Sequence, residues 1–325
     1  MNNTSSNDLC ISTSEGDISI IFVLLIAPFH FFVLLTLFRR IKEKLPRHKF
    51  LISLSISDST QVIVTGLLAN TMRALHLRTA STVCKMLHLI LQFNTAMTIV
   101  SASSNIVALS IERYIACVYC LRMHSIMTKT RVQRAIISIW AVSIVCGCIA
   151  LNPAAPNLYP TAVQENKRPA IEFALMVFAS SVILLVIQIR LYKLSRDRRK
   201  VLPGQVCNVA AFTDTRRQQL RTTLVTSAVV VLYMLCMLPI SFFICFSMVT
   251  GQGSNLLNVR SVLIWIAMSN TIADPFVYGF GMRDTRKELL KELNRIRTWF
   301  RRIVDKDHQT GQHQLNSTAP RLTLM

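Results

Sequence analysis

Apolar residues in this chain neither alternate nor trace one face of short helices. They run in long blocks, separated by polar and basic segments. A hydrocarbon core of roughly 30 Å needs about 20 apolar residues of helix. Windows of that length recur seven times, at approximately 18–38, 50–72, 84–112, 133–151, 170–192, 222–249 and 257–280. The pattern predicts an all-α integral membrane protein, a bundle of seven transmembrane helices over residues 18–280, with residues 1–17 as an extracellular N-terminus. Beyond the last window, Leu289, Leu290, Leu293, Ile296, Phe300 and Ile303 fall at helical spacing with Lys and Arg between them. Residues 281–304 are therefore predicted as an amphipathic helix on the membrane surface, gripping acidic inner-leaflet lipids with Trp299 near the headgroups, and 305–325 as a flexible cytoplasmic tail.

Composition agrees with the pattern. Of 325 residues, 52% are hydrophobic and only 16% charged, and the mean hydropathy is +0.43. These values exclude both disorder and an ordinary water-facing surface. The net charge of +20 first suggests nucleic acid. However, the basic residues cluster at 39–49, 113–134, 190–221 and 283–306, with no zinc-finger spacing and no aromatic RNA-binding box, so nucleic acid is not expected as a partner. Taking the connections alternately, 30 of the 36 Lys+Arg fall on one side and six on the other. Because basic residues near helix ends favour the cytoplasm, the partition predicts an extracellular N-terminus and a cytoplasmic C-terminus. Residues 1–17 hold Asp8, Glu15 and Asp17 but no Lys or Arg, unlike the start of a cleavable signal peptide, so the first helix is read as the anchor. Asn2 and Asn3 open overlapping sequons on the extracellular side and predict a glycoprotein, whereas the Asn316 sequon lies in the cytoplasmic tail.

Ionisable groups at bilayer depth are costly and mark function. Here they are few: Asp58 within LISLSISDST, Glu112-Arg113-Tyr114 closing the third helix, and Asp274-Pro275 within SNTIADPFVYGF. Two isolated acids in one bundle would share a proton unless a cation enters, and Asn270 lies one turn before Asp274 on the same face.

These residues, with Trp140 in AIISIWAVS and Cys236-Met237-Leu238-Pro239, resemble those of the rhodopsin-like (class A) G-protein-coupled receptors. Asp58 is similar to the family's second-helix aspartate, Glu112-Arg113-Tyr114 to its (D/E)R(Y) motif, and Trp140 to its fourth-helix tryptophan. Cys236 through Pro239 resemble C-W-x-P, and Asp274 through Tyr278 resemble N/D-P-x-x-Y. Five such elements in order, each on the right helix, make the resemblance specific over nearly the whole chain. It implies a plasma-membrane receptor that couples an extracellular ligand to a heterotrimeric G protein, with arrestin as a further partner.

The resemblance also implies roles. Glu112 restrains Arg113 at rest, and Arg113 meets the G protein when the sixth helix swings outward about Pro239, joined by Tyr192 and Tyr278. Cys236, Met237 and Pro239, with Asp274 and Pro275, form the hinges. A sodium ion is implied between Asp58, Asn270 and Asp274, although Ala102 stands where the family has a sodium-binding serine, with Ser101 and Ser103 beside it. His30 replaces the first-helix asparagine and is read as a structural, hydrogen-bonded residue. In the family's register, Thr95, Ala96, Ile99, Met176, Ser180, Ile240, Ser241, Ile244, Ile264 and Met268 face the ligand pocket. Thr95 in place of an acid disfavours amine ligands, and Met268 in place of lysine disfavours retinal. A small, largely neutral ligand is preferred, with an anionic or acidic-peptide ligand drawn by Arg73, Arg78 and Arg260 near the mouth as the alternative. No other cofactor is expected.

Further departures stand out. Met237 replaces the aromatic switch, Leu184 replaces the fifth-helix proline, and RRQQLRTT at the base of the sixth helix supplies no acid to hold Arg113, so raised basal activity is expected. The second extracellular loop has no cysteine to pair with Cys84, which is then free or bonded to Cys10. An odorant-type receptor of the same fold is one alternative reading. A seven-helix ion or proton transporter is another, disfavoured by the lack of internal symmetry between halves. No H-E-x-x-H motif or paired catalytic acids suggest an enzyme.

Overall fold

The computed structural model describes residues 26–40, 46–75, 82–119, 122–151, 167–200, 209–250, 257–282, 285–299 and 301–302. Among these every regular element is helical. Seven long helices follow one another: α1 (Ala27–Arg40), α2 (Pro46–Ala74), α3 (Thr82–Val118), α4 (Lys129–Ala150), α5 (Lys167–Lys200), α6 (Val209–Thr250) and α7 (Leu257–Gly281). A one-turn helix, Met123–Ile126, lies between α3 and α4, and α8 covers 285–299. Pro46 opens α2, where its missing N–H costs nothing. Thr128 caps α4, its hydroxyl accepting the Arg131 N–H at 3.4 Å.

Five described helices, Pro46–Met72, Thr82–Val118, Lys129–Ala150, Ala174–Leu194 and Arg221–Ser247, are long and apolar enough to cross a membrane, and Ala27–Phe38 is a shorter apolar one. The helices overrun the apolar windows most at their basic ends. α5 reaches Lys200 and α6 begins at Val209, against expected limits of 192 and 222. Hydropathy marks where lipid ends, but the backbone hydrogen bonds continue into the charged segments.

α3 is the centre of the bundle, packing against α2, α4, α5 and α6, while α7 closes the ring onto α1 through the stacked rings of Phe29 and Phe276, 4.3 Å apart. Small residues permit the central position: Ser101, Ala102, Ser103 and Asn105 are all buried on α3. A Cβ added to Gly147 of α4 would lie 2.9 Å from the Phe93 ring of α3, and one on Gly281 of α7 would lie 2.8 Å from Val225 of α6. Both glycines therefore fix close helix contacts.

The outward faces are apolar and the interior is partly polar, the reverse of a water-soluble protein. Ile137, Val142, Val145 and Ile149 of α4 and Leu175, Val182 and Leu185 of α5 are exposed, whereas Ser53, Ser55, Ser57 and Asp58 of α2 are buried. Many interior hydroxyls bond a carbonyl one turn back, as Ser59 does to Ser55, Ser110 to Ile106 and Ser143 to Ile139. Others join helices: Trp140 Nε1 donates to Ser53 Oγ at 3.1 Å, Ser57 Oγ to the Thr98 carbonyl at 2.9 Å, and Ser227 Oγ to Gln188 Oε1 at 2.8 Å. Within a bilayer such bonds contribute about 0.6 kcal/mol each. Their larger effect is to fix register between helices that are otherwise greasy on both sides.

Candidate functional site

The sequence-predicted residues fall into three layers along the bundle. At the end of α3 that the charge pattern assigns to the cytoplasm, Glu112 and Arg113 are both buried, at 0% and 3% exposure. Arg113 Nε donates to Glu112 Oε2 at 2.5 Å and Nη2 donates to Oε1, a bidentate pair between neighbouring residues. A guanidinium suits this role because it stays ionised and presents a planar fork. Tyr114 is half-buried beside the pair. Here α3 meets α6 through a weak contact, Cys117 Sγ to Thr223 Oγ1 at 3.7 Å.

Tyr192 and Tyr278, grouped with Arg113 by the resemblance, are not brought to it. Tyr192 is 69% exposed on α5, and the Tyr278 hydroxyl lies 2.6 Å from Ser55 Oγ, tying α7 to α2. Arg113 is engaged by Glu112 instead.

The middle layer holds Asp58 and Asp274, both buried and close enough to interact electrostatically. Asn270 Nδ2 donates to Asp274 Oδ2 at 3.1 Å, bearing out their shared face on α7. Four buried oxygens, Asp58 Oδ1 and Oδ2, Asp274 Oδ1 and Asn270 Oδ1, have no hydrogen-bond partner. Burying such acceptors unmet is expensive, so this cluster requires a proton or a cation, and an all-oxygen donor set fits a hard cation. The α3 serines beside Ala102 bond within their own helix. Ser101 Oγ accepts from Asn105 Nδ2 at 3.4 Å, and Ser103 Oγ donates to the Val100 carbonyl at 3.1 Å. His30 is buried with its ring against the Thr271 backbone of α7.

In the hinge region Pro239 lies inside α6 and Pro275 inside α7, each removing one backbone donor. Met237 is buried, and Cys236 Sγ lies 3.6 Å from Ser269 Oγ of α7. One turn before Met237 is a residue that sequence reasoning missed. Tyr233 is 1% exposed, and its hydroxyl sits 3.1 Å from Ser180 Oγ of α5, with the Ser103 hydroxyl of α3 also in reach. One phenol thereby joins three helices, and its partner Ser180 belongs to the predicted pocket. The signal was a tyrosine within an otherwise apolar run, VVVLYMLCML, whose hydroxyl had to find a partner at depth. Tyr233→Phe should cost about 0.5–1.5 kcal/mol of stability, read as a lowered melting temperature of the purified chain.

In the outermost layer Thr95, Ala96, Ile99, Ser180, Ile244, Ile264 and Met268 are half-buried, Ile240 and Ser241 are buried, and Met176 is exposed. The Ser241 hydroxyl is spent on the Met237 carbonyl at 3.0 Å. Cys84 is disulfide-bonded, which removes the expectation of a free thiol. Cys10, Asn2 and Asn3 lie outside the described residues. No group of three or more His, Cys, Asp or Glu able to hold a metal occurs among the described residues.

The chain is similar to known receptors. The sequence profile of the family described as 7 transmembrane receptor (rhodopsin family) matches residues 30–278. Melanocortin receptor 5 of Homo sapiens is 24% identical over 257 residues, covering 74% of this chain and 72% of that receptor. Melanocortin receptor 5 of Pan troglodytes is 23% identical over 258 residues, with the same coverage of 74% and 72%. Adenosine receptor A2a of Canis lupus familiaris is 23% identical over 231 residues, 64% of this chain and 56% of that receptor. The profile spans well over half of the chain, from His30 on α1 to Tyr278 on α7, and so contains every layer described above. This chain is a multi-pass membrane protein and belongs to the rhodopsin family of seven-transmembrane receptors.

Proposed function

We propose that this receptor sits in the plasma membrane with its N-terminus outside and converts binding of a small, largely neutral extracellular ligand into activation of a heterotrimeric G protein. The observation that carries the reading is the buried bidentate Glu112–Arg113 pair at the end of the central helix. A buried ion pair contributes little to stability, but it suits a switch, because Arg113 can exchange one planar partner for another when α6 moves away. The thiol contact of Cys117 with Thr223 is a weak restraint on that movement. This supports appreciable signalling before any ligand is added.

Ligand binding need only favour the outward arrangement of α6 by its differential affinity for the two states. Asp58, Asn270 and Asp274 would hold a sodium ion in the resting arrangement, their unpartnered oxygens being available to it. α8 lies along the inner leaflet. Leu290, Leu293, Ile296 and Trp299 are exposed on it, and Lys291 and Arg295 carry ion pairs to Glu288 and Glu292 while keeping most of their surface in solvent. Acidic lipids bind this helix, and arrestin takes the same cytoplasmic face as the G protein.

Expression of the full chain with each G-protein class, assayed for second messengers without added ligand, tests the reading. A response above that of vector-only cells, restricted to one or two classes, is expected. Silence with every class, from protein demonstrated at the cell surface, would overturn it.

A further inference from the structure

The chain has nine cysteines. Cys84, near the outer end of α3, is disulfide-bonded, whereas Cys117, Cys146, Cys148, Cys236 and Cys245 are free thiols. The partner of Cys84 is therefore one of the three that remain, Cys10, Cys120 and Cys207, all of which lie outside the described residues. The positions of the described helices decide among them.

A disulfide holds its two Cα atoms within about 7 Å of each other. Cys84 and Val118 belong to one continuous helix, Thr82–Val118. At about 1.5 Å of rise per residue their separation in sequence places them about 51 Å apart. Cys120 follows Val118 by two residues, which reach about 7 Å at most, so it cannot return to Cys84. Cys207 precedes Val209, the first residue of α6, by two residues. α6 runs antiparallel to α3, because Thr223 meets Cys117 whereas Tyr233, further along, has the Ser103 hydroxyl in reach. Followed back from Thr223 to Val209, α6 leads still further from Cys84, and Cys207 is excluded as well.

Cys10 meets the same requirement. The described chain begins at Ile26, one turn before His30, whose ring lies against Thr271 in the middle layer. On α3 that layer is marked by the Thr98 carbonyl, which accepts from Ser57, and Cys84 lies about 21 Å outward of it. The segment from Cys10 to Ile26 can span up to about 55 Å, more than twice that rise. Both cysteines also fall on the side that the charge pattern assigns to the exterior, where disulfides persist.

We propose that Cys84 is bonded to Cys10, and that this bridge anchors the N-terminal segment to the outer end of the central helix. On its formation each thiol loses a proton, and the pair passes two electrons to a disulfide donor of the secretory compartment, which becomes a dithiol. Cys84 is 1% exposed and packs with Met72 of α2 and Leu87, so its sulfur is shielded from attack by external thiolates. Thr95, eleven residues further along α3, is three turns inward on the same face. The bridge therefore stands directly outward of the face that carries a predicted pocket residue.

The proposal goes beyond the receptor reading, and its test involves no signalling, so failure of coupling and failure of the bridge are distinguishable. The full chain, purified from cells that secrete and display it, is alkylated without reduction, treated with a glycosidase and digested with trypsin and a glutamate-specific protease. Cys10 is then released within residues 1–15 and Cys84 within 79–85. Mass spectrometry should find these two peptides joined before reduction and separate after it. Cys10→Ser, Cys84→Ser and the double variant should each lower the melting temperature by the same several degrees, because either single change removes the whole bridge. Alkylation of Cys84 without prior reduction, a Cys84 peptide joined to one that carries Cys120 or Cys207, or a Cys10→Ser chain that melts with the wild type while Cys84→Ser melts lower overturns the proposal.

Discussion

Replacing Arg113 should silence the receptor, and replacing Glu112 should do the opposite. The pair is buried and bidentate, and the two residues have no other charged partner among the described residues. Truncating one member strands the other, a cost of about 3–5 kcal/mol, so Arg113→Ala alone confounds function with folding. The informative set is therefore Arg113→Ala combined with Glu112→Gln, compared with Glu112→Gln alone. The double variant removes both charges together. It should reach the surface at normal levels, yet its nucleotide exchange on the G protein should drop to that of vector-only membranes.

Glu112→Gln keeps the shape of the partner and removes its charge. Arg113 then gives up a neutral hydrogen bond in place of a charged one on leaving, and basal exchange should rise. About 1.4 kcal/mol of lost restraint is a tenfold shift between resting and active populations, so a several-fold increase is within reach of this single change. Equal exchange in the wild type and the double variant would falsify the assignment of Arg113. An unchanged basal rate in Glu112→Gln would remove the restraint but leave the contact with the G protein in place.

How much of this was legible in the sequence depended on whether a feature was local. The helices were, because a span must satisfy its own backbone and present apolar side chains to lipid. The windows around Asp58, Trp140 and Asp274 all became helices in the expected places. The Asn270–Asp274 bond was also legible, since four residues on a helix fix a shared face. Contacts across helices were not. Gln61 and Thr98 stand 37 residues apart and Cys117 and Thr223 stand 106 apart. A hydroxyl or amide inside an apolar run announces only that it needs a partner, not where that partner lies. Tyr233 is the clearest instance. Its sequence context reads as a greasy helix, and only packing reveals that its hydroxyl meets Ser180. Tyr192, which the resemblance joins to Arg113 only when the sixth helix swings outward, is exposed in an arrangement where Glu112 holds the guanidinium.

The second large effect concerns the middle layer. Sodium should lower basal nucleotide exchange of the wild-type receptor, and Asp58→Asn and Asp274→Asn should each abolish that dependence. Two buried carboxylates close enough to interact, with three of their oxygens unmet, repel unless something positive intervenes. A cation that binds only the resting arrangement stabilises it by mass action, about 1.4 kcal/mol when present at ten times its Kd. Replacing sodium with potassium at constant ionic strength, so that screening is unchanged, should therefore raise exchange and lower the melting temperature together. In either Asn variant both responses should vanish, while the fold survives, since an amide is isosteric with the carboxylate and one like charge has been removed. A shared proton makes a different forecast: no difference between sodium and potassium, but exchange that changes with pH in the wild type and not in the variants. Ala102 gives a third arm. Restoring a hydroxyl with Ala102→Ser adds an oxygen on α3 at the position where the resemblance implies a sodium-binding serine. If the site holds sodium, that substitution should shift the response to lower sodium concentrations; a site that holds a proton should be indifferent to it.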